Sequence, residues 1–223
     1  MVIQAKKHWS TKSEAARDEV KDAVEEAVAW VITHQRQALW SFGGAAAAAL
    51  ALGLIVYSRH TKNMGAWDKL SQAEVYAYSG RGADAQAAIA EAAGGTSPGA
   101  AALAHMLAGD LLYPKGEYDG ALAAYDKAAL EAPEGLRPFA LADKIMTLEA
   151  AGKNAECAAA AQSFVDSLSD HLLTPQVHST LARCQSAAGQ ADAAKATLQR
   201  ISLQYPNTPW AEWANARLAA TAK

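Results

Sequence analysis

Apolar and polar positions alternate in three different ways along this chain. Between residues 20 and 31, Val20, Val24, Ala27, Val28 and Val31 recur at helical spacing, opposite Glu19, Asp22, Glu25 and Glu26. That is an amphipathic helix, and Thr11 with Glu14 supplies a capping box that opens it near Lys12. From Leu39 to Tyr57 the polar positions vanish, and LWSFGGAAAAALALGLIVY runs 19 residues without a charge. From Met64 onward, short apolar blocks return, punctuated by glycine and proline. The chain therefore divides into a polar, helical segment at 1–38, an apolar rod at 39–57 and a repeat domain at 64–223.

The rod has the length of a membrane crossing. At 1.5 Å per residue it reaches roughly 28 Å, close to a bilayer hydrocarbon core. Trp40 and Tyr57 sit at its ends, where amphipathic rings prefer the headgroup layer. A buried core helix would seldom go this long without a charge. A cleaved signal peptide would begin near the N-terminus, whereas 38 residues precede this segment. A single uncleaved transmembrane helix is expected. Lys21 and Arg36 before it nearly balance Arg59, Lys62 and Lys69 after it, so flanking charge says little about its direction.

The repeat domain keeps an even beat. Gly80, Gly116, Gly152 and Gly189 are separated by 36, 36 and 37 residues, close to the 34-residue tetratricopeptide period. Five residues after each glycine stand Ala85, Ala121, Cys157 and Ala194. Four further on come Ile89, Tyr125, Ala161 and Leu198, and three beyond those Ala92, Ala128, Phe164 and Ile201. Each unit reads as two antiparallel helices, A and B, with the glycine ending helix A in a left-handed turn. The small residue lets helix B approach helix A, and the later positions fill the space between hairpins. One hairpin cannot bury its apolar face alone, so several must stack. The unit ending at Pro133 resembles the tetratricopeptide consensus at Gly109, Gly116, Tyr118, Ala121, Tyr125, Ala128 and Pro133. After Pro209 a terminal helix carries Trp210, Trp213, Ala214 and Leu218. The expected fold is all-α: one transmembrane helix, then a tetratricopeptide-like α-solenoid of about four hairpins plus a capping helix.

Composition and charge narrow the function. The residues are 51% hydrophobic but only 7% aromatic, and the abundance of alanine agrees with helices throughout. A net charge of −3 gives no reason to expect nucleic-acid binding. No GxGxxG, Walker loop, GxSxG or HExxH occurs, and the six histidines lack metal-ligand spacing. The sequence therefore predicts no enzyme, no cofactor, no metal and no small-molecule substrate, leaving proteins as partners.

In stacked hairpins the A helices line a groove that accepts peptides or a partner helix. Counting back from each glycine, the groove-facing candidates are Trp67, Leu70, Glu74, Leu103, Met106, Asp110, Tyr113, Phe139 and Met146. Aromatic and methionine side chains suit tolerant recognition. These positions lack the Lys/Asn/Arg cluster that grips a peptide carboxylate, so apolar and polar contacts should dominate. Cys157 falls on helix B of one unit and Cys184 on helix A of the next. Those helices should be neighbours, which makes a disulfide geometrically feasible in an oxidising compartment.

A tail, one membrane span and about four degenerate hairpins form a combination that resembles the YfgM-type ancillary subunits of the Sec translocon. The resemblance implies anchoring in a bacterial inner membrane, with the repeats in the periplasm. It also implies partners among translocon subunits, periplasmic chaperones and exported clients. The ending QYPNTPW is similar to those of periplasmic repeat proteins that coordinate envelope assembly or division. A structural subunit of a larger membrane complex is the other role this architecture would serve.

Overall fold

The computed structural model describes the backbone of residues 10–221, with side chains from residue 20 onward except at 38, 41, 42 and 221. Among the described residues there are ten α-helices, one short 3₁₀ turn and no strand. It separates into two units, 1–58 and 59–223.

The first unit contains α1 (Ser10–Thr33) and the start of α2 (Gln35–Tyr78), which meet at His34. Helix α1 is already helical at Ser10, the first described residue. The side chains of Thr11 and Glu14 lie outside the described residues. Val20, Val24 and Val28 are exposed along α1, so no described side chain covers its apolar face.

The expected membrane span is wholly helical within α2. Among the described residues, however, no helix is long and apolar enough to cross a membrane. The span includes Ser41 and Phe42, whose side chains are outside the described set, and Gly43 through Ala49 add little hydrophobicity per residue. The apolar residues that follow are uncovered on every side: Leu50, Leu52, Leu54, Ile55 and Val56 are all more than half exposed.

The second unit is the stack of hairpins. The last part of α2 pairs with α3 (Gly82–Ala93); α4 (Pro98–Leu112) pairs with α5 (Tyr118–Glu131). Next come α6 (Arg137–Ala150) with α7 (Asn154–Ser167), then α8 (Thr174–Ala187) with α9 (Ala191–Gln204). A final helix, α10 (Pro209–Thr221), packs on α9 and α8. Proline occupies the first turn of α4, α6 and α8, where its missing N–H has no intrahelical partner to lose.

The four beat glycines all take left-handed dihedrals, with φ of 73°, 75°, 71° and 76°. Each turn closes with the same two hydrogen bonds. The glycine N–H donates three residues back, and the following N–H donates five back, as Lys153 does to Leu148 at 3.0 Å. That is the Schellman arrangement, which satisfies carbonyls a helix end would leave orphaned. Helices α3, α5, α7 and α9 then begin with an acid in the first turn, Asp84, Asp119, Glu156 and Asp192, favourable at the positive end of the helix dipole.

The positions that follow each glycine form the core. Ala85, Ala121 and Cys157 are completely buried and Ala194 nearly so. Ile89, Tyr125, Ala161 and Leu198 are also buried, as are Ala92, Ala128, Phe164 and Ile201. Gly109 belongs to the same scheme on the facing helix. It lies so near Tyr125 that an added Cβ would stand 2.5 Å from the ring. Cys157 and Cys184 join α7 to α8 through a disulfide, with Cα atoms 6.0 Å apart.

Candidate protein-binding surface

The A helices present a mixed aromatic, methionine and acidic surface. On α2, Trp67 is 41% exposed, and its ring edge lies over Gly99, where a Cβ would come within 3.3 Å. Glu74 is exposed on the same helix. Leu70 departs from expectation. It is only 4% exposed and packs with Ala73, Ala88 and Ala104 inside the hairpin, so it offers a partner no surface. Its turn of helix faces α3 and α4, where Ile89, Leu103 and Leu107 join the small Ala88, Ala92 and Ala104 in one apolar cluster. Leu103 is half-buried against the same cluster.

The middle of the surface is built around Tyr125. Its hydroxyl, on α5, donates to Asp110 of α4 at 2.7 Å. Tyr113 meets Tyr118 edge to face with centroids 5.7 Å apart. Burial, and secondarily the Asp110 charge, push the carboxyl of Asp143 on α6 up to about 6. Burial and the Asp110 bond hold the Tyr125 phenol protonated far above its ordinary range. Asp110 and Tyr113 thus belong to one polar cluster with two residues, Tyr125 and Asp143, that the sequence reading did not place there. Tyr125 had been legible only as core filler, and nothing in the spacing reveals which acid its hydroxyl reaches.

Phe139 and Met146 lie further along, on α6. Phe139 packs edge-on against His171 at 5.6 Å, and His171 contacts Phe164 in turn at 6.1 Å. Met146 is 38% exposed, and its sulfur accepts from Gln176 Nε2 at 3.3 Å. Met106 is half-buried. Trp67, Glu74, Asp110, Tyr113 and Met146 therefore retain accessible surface, whereas Leu70, Leu103 and Phe139 serve mainly to hold the stack.

Among the described residues no group of three His, Cys, Asp or Glu side chains could hold a metal ion. The most perturbed imidazole, His178, is 2% exposed and shares a hydrogen bond of 2.9 Å with the Tyr205 hydroxyl. Burial first, then the Arg200 charge, pull its pKa down to about 4.

A stack of helical hairpins whose A helices end at left-handed glycines is the architecture of helical repeat scaffolds. Comparison with known families points the same way: a tetratricopeptide repeat model matches residues 148–219, from the end of α6 through α7, α8 and α9 into α10. No curated protein matches the chain. Tetratricopeptide repeats suggest an interaction adaptor with protein partners.

Proposed function

We propose that this protein is a membrane-tethered adaptor that binds other proteins through the A-helix surface of its repeats and performs no catalysis. The observation that carries this reading is the exposed set Trp67, Tyr113 and Met146, held by the solenoid without a covering element. Large, apolar and accessible residues on successive elements of a rigid scaffold mark a contact surface.

The tether is the apolar part of α2. A helix that is apolar all round needs protein or lipid around it, and Leu50 to Val56 have no protein cover among the described residues. An inner-membrane position with the repeats in the periplasm fits the Cys157–Cys184 bridge, since disulfides persist in oxidising compartments. In that setting the adaptor assists protein export or envelope biogenesis at the Sec translocon, with translocon subunits, chaperones or exported clients as partners. A second reading, as a structural subunit of a membrane complex, draws support from the exposed Val20, Val24 and Val28 on α1.

Photo-crosslinking of the full chain in intact cells separates these readings. Crosslinkers at positions 67, 113 and 146 should capture proteins on the repeat surface. Capture confined to positions 24 and 28, with the repeats bare, would replace the adaptor by the structural subunit. Recovery of the chain in the soluble fraction after cell breakage would remove the tether.

A further inference from the structure

The last hairpin and the terminal helix enclose a cavity of about 620 Å³ between α8, α9 and α10. Its apolar wall consists of Ala182, Ala194, Leu198 and the indole of Trp213. The first three are buried, and Trp213 packs against the Leu198 and Ile201 cluster. The same lining carries Arg183, Lys195, Arg217 and a single acid, Asp192.

These charges are unequally committed. Arg183 donates two bonds to Glu149, at 2.5 and 2.8 Å, and that pair is neutral as a unit. Arg217 lies over the Trp213 ring at 4.2 Å. Among the described residues neither Lys195 nor Arg217 has an acidic partner within ion-pair distance. The cavity thus offers an aromatic face and apolar volume beside two cations that only Asp192 partly offsets. Its size falls within the range of roughly 300–1,000 Å³ typical of ligand sites.

We propose that this cavity is a peptide subsite that takes one apolar side chain together with an adjacent carboxylate, supplied by a partner's C-terminus or by an internal Asp or Glu. The apolar group fills the space beside Leu198 and Trp213 and displaces water from it. The carboxylate accepts charge-assisted bonds from Lys195 and Arg217. The proposal rests on the protein-binding reading above and gives its chemistry at the far end of the stack. The sequence reading placed no cation cluster in the groove, and these cations belong to α9 and α10, outside the groove positions it named.

The test follows the Trp213 indole N–H resonance of the full ¹⁵N-labelled chain in detergent micelles, assigned with Trp213→Phe. Three probes are titrated: N-acetyl-Ala-Ala-Leu with a free carboxylate, its C-terminal amide, and the amide of N-acetyl-Ala-Glu-Leu. Saturable shifts are expected with a carboxylate peptide, and at least about tenfold weaker binding with the neutral amide, the loss of one charge-assisted bond. Response to the free acid alone assigns the C-terminus as source; response to the internal acid assigns a side chain. Lys195→Gln/Arg217→Gln, two exposed positions, should weaken the acidic probes about as much and leave the neutral one unchanged. Equal binding of acid and amide, no effect of the double substitution, or no shift at all would overturn the subsite. If partners still crosslink at positions 67 and 146 in that event, the adaptor stands and only the subsite falls. A positive titration with no crosslinked partner anywhere would do the reverse.

Discussion

Gly109→Ala is the sharpest perturbation of the packing scheme, because two effects of opposite sign meet at one atom. Gly109 is buried in α4, and replacing a mid-helix glycine by alanine should gain about 1 kcal/mol of helix propensity. The added methyl, however, would stand 2.5 Å from two carbons of the Tyr125 ring, where ordinary contacts are 3.4–4 Å. The ring must retreat by about 1 Å. It cannot do so freely, since Tyr125 is 3% exposed and its hydroxyl is tied to Asp110 at 2.7 Å. Overpacking of this kind costs about 1–3 kcal/mol, and losing a hydrogen bond to a charged acceptor costs about 1.5–3 kcal/mol. The steric and polar losses outweigh the propensity gain, leaving about 2–4 kcal/mol of destabilisation. For a chain of this size that lowers Tm by about 4–16 °C. Thermal unfolding of the full chain in micelles, followed by circular dichroism, reads the shift. Gly65→Ala is the control: it is also helical and exposed, with nothing within 4 Å of the new Cβ, so stability should rise. Combining Gly109→Ala with Tyr125→Leu should recover part of the loss, a favourable coupling between the two sites. If Gly109→Ala stabilises the protein as Gly65→Ala does, the close approach of α4 and Tyr125 is wrong.

Reduction of the Cys157–Cys184 bridge, whose partners are 27 residues apart, should cost about 3.5 kcal/mol by loop entropy; urea midpoints with and without reductant measure it, and equal midpoints would exclude the bridge. Two alkylatable thiols in protein taken from its native compartment would argue against an oxidising location. At Gly152, with φ of 71° and open space around the Cβ position, substitution by alanine should cost about 1–2 kcal/mol through backbone strain alone. His178 sets an acid limit: its folded pKa of about 4 lies below the ordinary 6.5, so the unfolded chain takes up the proton first as pH falls. Its contribution to stability is intact above pH 6.5 and should be lost progressively between about 6.5 and 4. His178→Gln should flatten the dependence of Tm on pH in that window, and an imidazole NMR titration with its midpoint near 6.5 would refute the shift.

The parts of the fold readable from sequence are those with a single physical solution. A helix end that must reverse within two residues needs a left-handed position, and glycine at 80, 116, 152 and 189 supplies it. A B helix that must approach its A helix needs a small residue, and positions 85, 121, 157 and 194 are buried accordingly. The surface was less legible because the glycine fixes where helix A ends, not how its faces divide between partner and core. Trp67 and Leu70 stand three residues apart on one face of α2, yet one is 41% exposed and the other 4%. The difference is set by α3 and α4, whose Ile89, Leu103 and Leu107 close with their alanines over Leu70 and not over Trp67. The cavity beside Trp213 was hidden for a related reason. Lys195 and Arg217 read singly as solvated charges, and only the packing of α10 on α8 and α9 brings them to one opening.

Alanine shows most clearly why composition could not finish the reading. At 45–49 it forms an exposed run within α2. At 85 and 121 the same side chain is fully buried because two backbones close upon it. At 182 and 194 it is buried again, but there Leu198 and Trp213 hold the helices apart and the short side chains leave a void between them. A methyl group thus seals one interface and opens another, depending on whether its neighbours are as small as itself. The hairpins from Gly80 to Gly152 pack on a further hairpin that fills such gaps, whereas α8 and α9 pack on the single helix α10. That junction is therefore where small side chains leave apolar volume beside Leu198 and Trp213, and where a partner's side chain would gain by entering.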